Sequence, residues 1–156
     1  MKKFLTLSSA ICLVFLSFHY GNDQLSALTD EQMEAAAVVE LFLNAQATGN
    51  TEVMKETLGG ELLKKRLRLL DNPDYSSFLK DVYKASSFEI LNYKSPQNDS
   101  IQIDVRIDIN EQESQKFRFL LIKTSTSPDT LPQFLIYSQT ELTKASFSPF
   151  RIFLYE

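Results

Sequence analysis

The chain changes its hydrophobic period near Ser87. Beyond that point Ile101, Ile103, Val105, Ile107 and Ile109 alternate with Gln102, Asp104, Arg106, Asp108 and Asn110, the two-residue repeat of a strand with one face on a core and the other in water. Phe88 to Lys94 predicts the strand before it, joined through Ser95-Pro96-Gln97-Asn98-Asp99. Gln115 to Lys123 predicts the strand after it, across a tight turn at Glu111 to Ser114. These three form a meander. A Ser-, Thr- and Pro-rich stretch from Thr124 to Pro132 then leads to a fourth strand at about Phe134 to Leu142.

Before Ser87 the period is helical. Thr29-Asp30-Glu31-Gln32 carries a capping box, with Leu28 and Met33 placed as a hydrophobic staple. Ala35, Val38, Leu41, Phe42 and Ala45 follow at helical spacing until Gly49-Asn50, which predicts a helix over 30–48. Thr51 to Leu58 reads as a short second helix broken at Gly59-Gly60, and Glu61 to Leu70 resumes with Leu63, Leu67 and Leu70 along one side. After the turn at Asp71-Asn72-Pro73-Asp74, a helix from Tyr75 to about Ala85 buries Tyr75, Phe78, Leu79 and Val82, with Asp74 as its cap. The expectation is an α+β domain over 28–156, its N-terminal helices packed on a curved antiparallel sheet of four to five strands.

The two ends of the chain stand apart from this pattern. Met1-Lys2-Lys3 precedes an apolar run from Phe4 to Phe18, the charged and hydrophobic regions of an export signal. The run is shorter than the roughly 20 apolar residues that span a bilayer. A cleaved signal over 1–27 is therefore favoured over a permanent anchor, although neither Leu25-Ser26-Ala27 nor His19-Tyr20-Gly21 makes a clean cleavage site. The expected location is periplasmic or secreted, with membrane contact at most through the N-terminal segment. At the other end, Phe147, Phe150, Ile152, Phe153, Leu154 and Tyr155 are too apolar to stay in water. They suit first a fifth strand or a tail over Leu120 and Ile122, with a homodimer or partner contact through the tail and the sheet face as the alternative.

Composition narrows the chemistry. At 156 residues the chain fits one core, and its formal charge of −4 argues against nucleic acid as a partner. Cys12 is the only cysteine and His19 the only histidine, so a chain that loses its leader has neither. Thiol nucleophiles, disulfides, imidazole-based triads and Cys/His metal sites are then excluded. No cofactor or metal is implied.

The layout of the Ala35 to Ala45 helix, the Gly49-Asn50 stop, the Tyr75 to Val82 helix and the Ser100 to Leu142 strands resembles the NTF2-like superfamily, in which helices cover a cone-shaped sheet around an apolar pocket. The resemblance spans about Thr29 to Leu142. It implies a ligand-binding module, a ketosteroid-isomerase-like enzyme or a membrane-tethered periplasmic assembly component. The all-helical first half departs from the commonest member, where a hairpin separates the helices, and a cystatin-like layout stays open.

Within that frame Phe42, Tyr83, Glu89, Tyr93 and Tyr137 are the pocket candidates. An isomerase would need a carboxylate beside a phenol, and Glu89, read as sharing the Leu91 and Tyr93 face of its strand, is the nearest acid. Asp104 and Asp108 share a strand face and could pair for acid/base work or hold a cation. Facing water, they would instead pair with Arg106, Lys116 or Arg118 across strands. Lys64, Lys65, Arg66 and Arg68 form the one basic cluster, read as a solvated helix face or a stripe for an anionic lipid surface. Asn98-Asp99-Ser100 fits a glycosylation sequon and also a hairpin loop. The expected function is an exported, non-catalytic domain that binds a small apolar ligand or a protein partner.

Overall fold

The computed structural model describes residues 28–97, 99–110, 113–124 and 134–142. The leader at 1–27, Asn98 of the sequon, most of the Thr124 to Pro132 stretch and the Phe147 to Tyr155 tail lie outside the described residues. The order is α1 (Asp30–Thr48), α2 (Thr51–Thr57), α3 (Gly60–Leu70), α4 (Pro73–Tyr83), β1 (Ser87–Gln97), β2 (Ser100–Asn110), β3 (Glu113–Lys123) and β4 (Phe134–Glu141). The strands form an antiparallel sheet in sequence order. This is an α+β arrangement with four described strands.

The helix ends follow local chemistry. The Gln32 amide donates to Thr29 Oγ1 at 3.2 Å, and the Thr29 amide donates back to Gln32 Oε1 at 3.0 Å, so the box closes α1 as its residues require. Helix α4 starts earlier than Tyr75. Asn72, not Asp74, is its cap, accepting from the Asp74 amide at 3.0 Å, because Pro73 fits a first turn that has no use for its missing N–H.

Helix α1 is the centre of the molecule. It lies over β2 and β4 on one side and carries α2 and α4 on others. Its buried residues therefore exceed a single stripe: Ala35, Val39 and Phe42 are joined by Ala36 and Leu43. Phe42 and Phe119 meet edge-on, with ring centroids 6.0 Å apart. Burying a side chain of this kind stabilises the fold by about 2–3 kcal/mol. Leu41, at a helical position that suggested burial, is instead 46% exposed.

Two glycines set the helix connections. Gly49 ends α1 in the left-handed region, at φ 66°, and its carbonyl accepts from Ser76 Oγ of α4 at 2.6 Å. Gly59 donates its amide to the Ile136 carbonyl at 2.9 Å, which docks the α2–α3 junction on β4. A Cβ on Gly59 would stand 2.7 Å from the Tyr137 ring.

Irregularities in the sheet decide which side chains face inward. β1 carries an extra residue between Ile90 and Asn92, and β4 one between Ile136 and Ser138. Such bulges shift the alternation by one. Phe88, Ile90 and Tyr93 lie opposite Ile107, Val105 and Ile103 and share the inner face with them, whereas Glu89 lies opposite Arg106. The expectation that Glu89 and Tyr93 share a face is thus corrected: the bulge at Leu91 separates them.

Candidate functional site

The five pocket candidates do not converge. Phe42 is fully buried against Phe119 and belongs to the core. Glu89 is on the outer face, with a carboxylate oxygen 2.6 Å from Arg106. Tyr137 sits at the β4 bulge, 36% exposed, against Gly59 and Gly60. Tyr93 is half-buried on the inner face of β1, and Tyr83 is half-buried at the end of α4.

Asp104 and Asp108 also lie on the outer face. Asp104 accepts from Arg118 Nε and Nη2 at 2.8 and 3.0 Å, directly across the strands. The hydrogen bonds from Arg118 hold the Asp104 carboxyl below its usual range, against a smaller opposing effect of burial. Asp108 stands 3.4 Å from Arg106. Each aspartate is matched to a guanidinium, which leaves the pair as a charge ladder. No group of three or more metal-ligating side chains occurs among the described residues.

The basic cluster of α3 is not one stripe. Lys64 pairs with Glu61 at 2.7 Å on the surface, and Lys65 and Arg68 are exposed. The inward face of α3 is Leu62, Leu63, Arg66, Leu69 and Leu70, while Leu67 is 42% exposed. Arg66 therefore sits in the middle of an apolar helix face. Burial holds its guanidinium below its ordinary value, and the Tyr75 and Tyr83 hydroxyls of α4 act on it in the opposite sense. No carboxylate of the described residues forms an ion pair with it.

These groups connect to α1. Gln46 is 9% exposed and hydrogen-bonds the Tyr83 side chain, yet its Oε1 has no partner. Read with the amide turned over, Tyr83 would donate to the oxygen and the NH2 would be left instead, so one polar atom of Gln46 stays unmatched either way. Burial, chiefly, pushes the Tyr83 hydroxyl above its ordinary value, with Tyr75 and Glu113 adding to the rise. Glu113 itself accepts from Gln115 Nε2 at 2.8 Å.

Tyr83 also marks where the site meets the sheet, because β1 starts just beyond it. Phe88, Ile90 and Tyr93 are half-buried, but their β2 neighbours Ile107, Val105 and Ile103 are buried. The candidate site is thus a half-covered aromatic and aliphatic strip along β1, which the chain enters just after Tyr83. Gln46 and Tyr75 were not among the sequence candidates, and Arg66 was one only as part of the basic cluster. The Leu62, Leu63, Leu69 and Leu70 spacing was the signal that places Arg66 inward.

Glu40 is the one further acid with a distinct environment among the described residues. It is half-buried on α1, and burial alone raises its carboxyl above the usual range.

Compared with known proteins, the chain matches no family model, no curated protein and no solved structure. None of the described helices is long and apolar enough to cross a membrane.

Proposed function

We propose that this is an exported binding domain of NTF2-like layout, without catalytic chemistry of its own, which holds a small apolar ligand along the inner face of β1. The observation that carries the reading is the half-buried state of Phe88, Ile90 and Tyr93 beside fully packed β2 partners. Apolar side chains left partly open on the helix-facing side of a sheet are what a small-molecule site requires. The carboxylates on the outer face are matched to arginines, which supports binding over acid/base chemistry.

Mass spectrometry of the natively purified protein tests both parts of this reading. The expected result is a co-purifying apolar molecule and a mature start near residue 22 or 28. A chain with Met1 intact in membranes would favour the tethered assembly component, and a ligand-free protein that takes up no apolar compound would overturn the binding function.

A second reading has its own observation. Leu120, Ile122 and Leu135 are half-buried on the outer face, and Ile122 lies directly opposite Leu135. This patch suits a homodimer contact. Sedimentation of the protein across a concentration series distinguishes a dimer from a monomer.

A further inference from the structure

We propose that the C-terminal segment from Thr143 to Glu156 docks on the outer face of the sheet of its own chain, across Leu120, Ile122 and Leu135. The proposal is independent of the ligand site on β1. It gives the outer patch a different occupant from the homodimer reading above.

The outer face has a charged part and an apolar part. Toward β1 it carries the pairs Glu89–Arg106 and Asp104–Arg118. Toward β4 it carries Leu120 and Ile122, which are half-buried and project from the side of β3 opposite the buried Phe119 and Leu121. Ile122 lies between Ser100 and Leu135, and Leu120 between Gln102 and Ser138, so no charge stands directly across from either. Helix α1 meets β3 from the other side, through Phe42 and Phe119. The helix that closes the core therefore does not serve this face.

The chain leaves the sheet on the same face. Glu141 lies opposite Phe117, which packs on the core, and the next residue, Leu142, donates its amide to the Lys116 carbonyl at 2.7 Å. Alternation puts Leu142, 39% exposed, on the outer face beside Lys116. Leu120 stands about 13 Å along β3 from Lys116 at the rise of an extended strand. Thr143-Lys144-Ala145-Ser146 reaches at most about 14 Å, which brings Phe147 level with Leu120. Phe150 and Ile152 then have the length to reach Ile122 and Leu135.

The segment suits that surface. Phe147, Phe150, Ile152, Phe153, Leu154 and Tyr155 far outweigh the charges of Lys144, Arg151 and Glu156, and such a run left in water would be an exposed apolar patch. Pairing along the whole edge of β4 is not open to it, because the Ile136 carbonyl already accepts from Gly59. Between a chain's own segment and that of a second copy, proximity decides. On so short a linker the effective concentration is on the order of millimolar, so at micromolar protein the contact within one chain wins.

Paramagnetic relaxation measured by NMR on the full chain tests this, with a nitroxide attached at Ser148→Cys and with Cys12→Ser to remove the leader's thiol. One sample is isotope-labelled chain that bears the nitroxide. The other is isotope-labelled chain without it, mixed with nitroxide-bearing chain of natural isotopic content. In the first, the amide signals of Leu120, Ile122 and Leu135 are expected to lose most of their intensity while Phe88, Ile90 and Tyr93 keep theirs, and the mixture should show no loss. Phe150→Ser together with Ile152→Ser should abolish the loss, with an unfolding midpoint to show that this variant is folded. Loss in the mixture would overturn the proposal and assign the patch to a second copy. Loss concentrated along β1 would overturn it by placing the segment on the ligand site, and no loss at Leu120, Ile122 and Leu135 in either sample would show that the segment does not dock there.

Discussion

β1 and β2 lie side by side and present the same class of side chain to the same face, yet only one of them is closed. Ile103, Val105 and Ile107 on β2 are buried, with Ile103 and Val105 at 0% exposure. Ile90 and Phe88, directly opposite Val105 and Ile107, are half-buried. The difference is positional. β2 has a strand on either side and α1 above it, while β1 is an edge among the described strands. Identical hydrophobicity thus makes a core in one place and an accessible surface in the next, and what separates them is the reach of the helices.

The sharpest way to break this comparison is one substitution made on both strands. Ile103→Ala should destabilise the fold by about 2–5 kcal/mol in urea denaturation, as large-to-small changes in a closed core do. Ile90→Ala should cost about 1–2 kcal/mol, because it removes only a partly buried group. Equal losses would show that β1 is as closed as β2.

Gly49 controls how α4 is held on α1, and so how far the helices cover the sheet. Its φ of 66° disfavours any residue with a Cβ, and a Cβ there would stand 2.4 Å from the Ser76 carbonyl oxygen. Gly49→Ala is expected to cost about 1–3 kcal/mol and to weaken any ligand held along β1, read as a lower denaturation midpoint and a higher Kd. Unchanged stability would mean that the α1–α4 contact is not fixed by this turn.

Arg66→Met should change the stability by less than about 1 kcal/mol, since the half-buried guanidinium forms no ion pair among the described residues. A clear loss of stability in urea denaturation would show that the arginine stem is a packing element of α3.

The smallest effect belongs to the outer face. Asp104, paired with Arg118, has its carboxyl held below the ordinary value, so its contribution to stability is present above the ordinary carboxylate pKa and is lost as the pH falls through the lowered one. Asp104→Asn should therefore flatten the acid limb of the stability profile, measured by denaturation from pH 7 downward. The inner-face substitutions should keep that limb.

Much of the fold was legible in the order of residues. Thr29 and Gln32 announce α1, and the β2 alternation names both faces of the sheet and the Asp104–Arg118 pair across it, although Asp104, expected in water, keeps only 13% of its side chain exposed beneath the arginine. The site was harder to see because two of its determinants break the local period. A single extra residue at Leu91 moves Tyr93 inward and leaves Glu89 outside, and no pattern in Phe88 to Lys94 marks where a bulge will fall. On α3, Leu67 and Arg66 compete for the inner face. Leu67 is the more apolar, but four neighbouring leucines at positions 62, 63, 69 and 70 outweigh it and carry the arginine inward with them. Gln46 adds a third case, since an amide at the end of a helix carries no sign in sequence of whether its partners are complete.

The central claim is that the inner face of β1 receives an apolar ligand. Two-dimensional NMR of the full chain during a decanoate titration tests it most directly. The account predicts shifts concentrated at Phe88, Ile90 and Tyr93, with Arg106 and Arg118 on the outer face undisturbed. Shifts concentrated at Leu120, Ile122 and Leu135, or none at saturating decanoate, would contradict it.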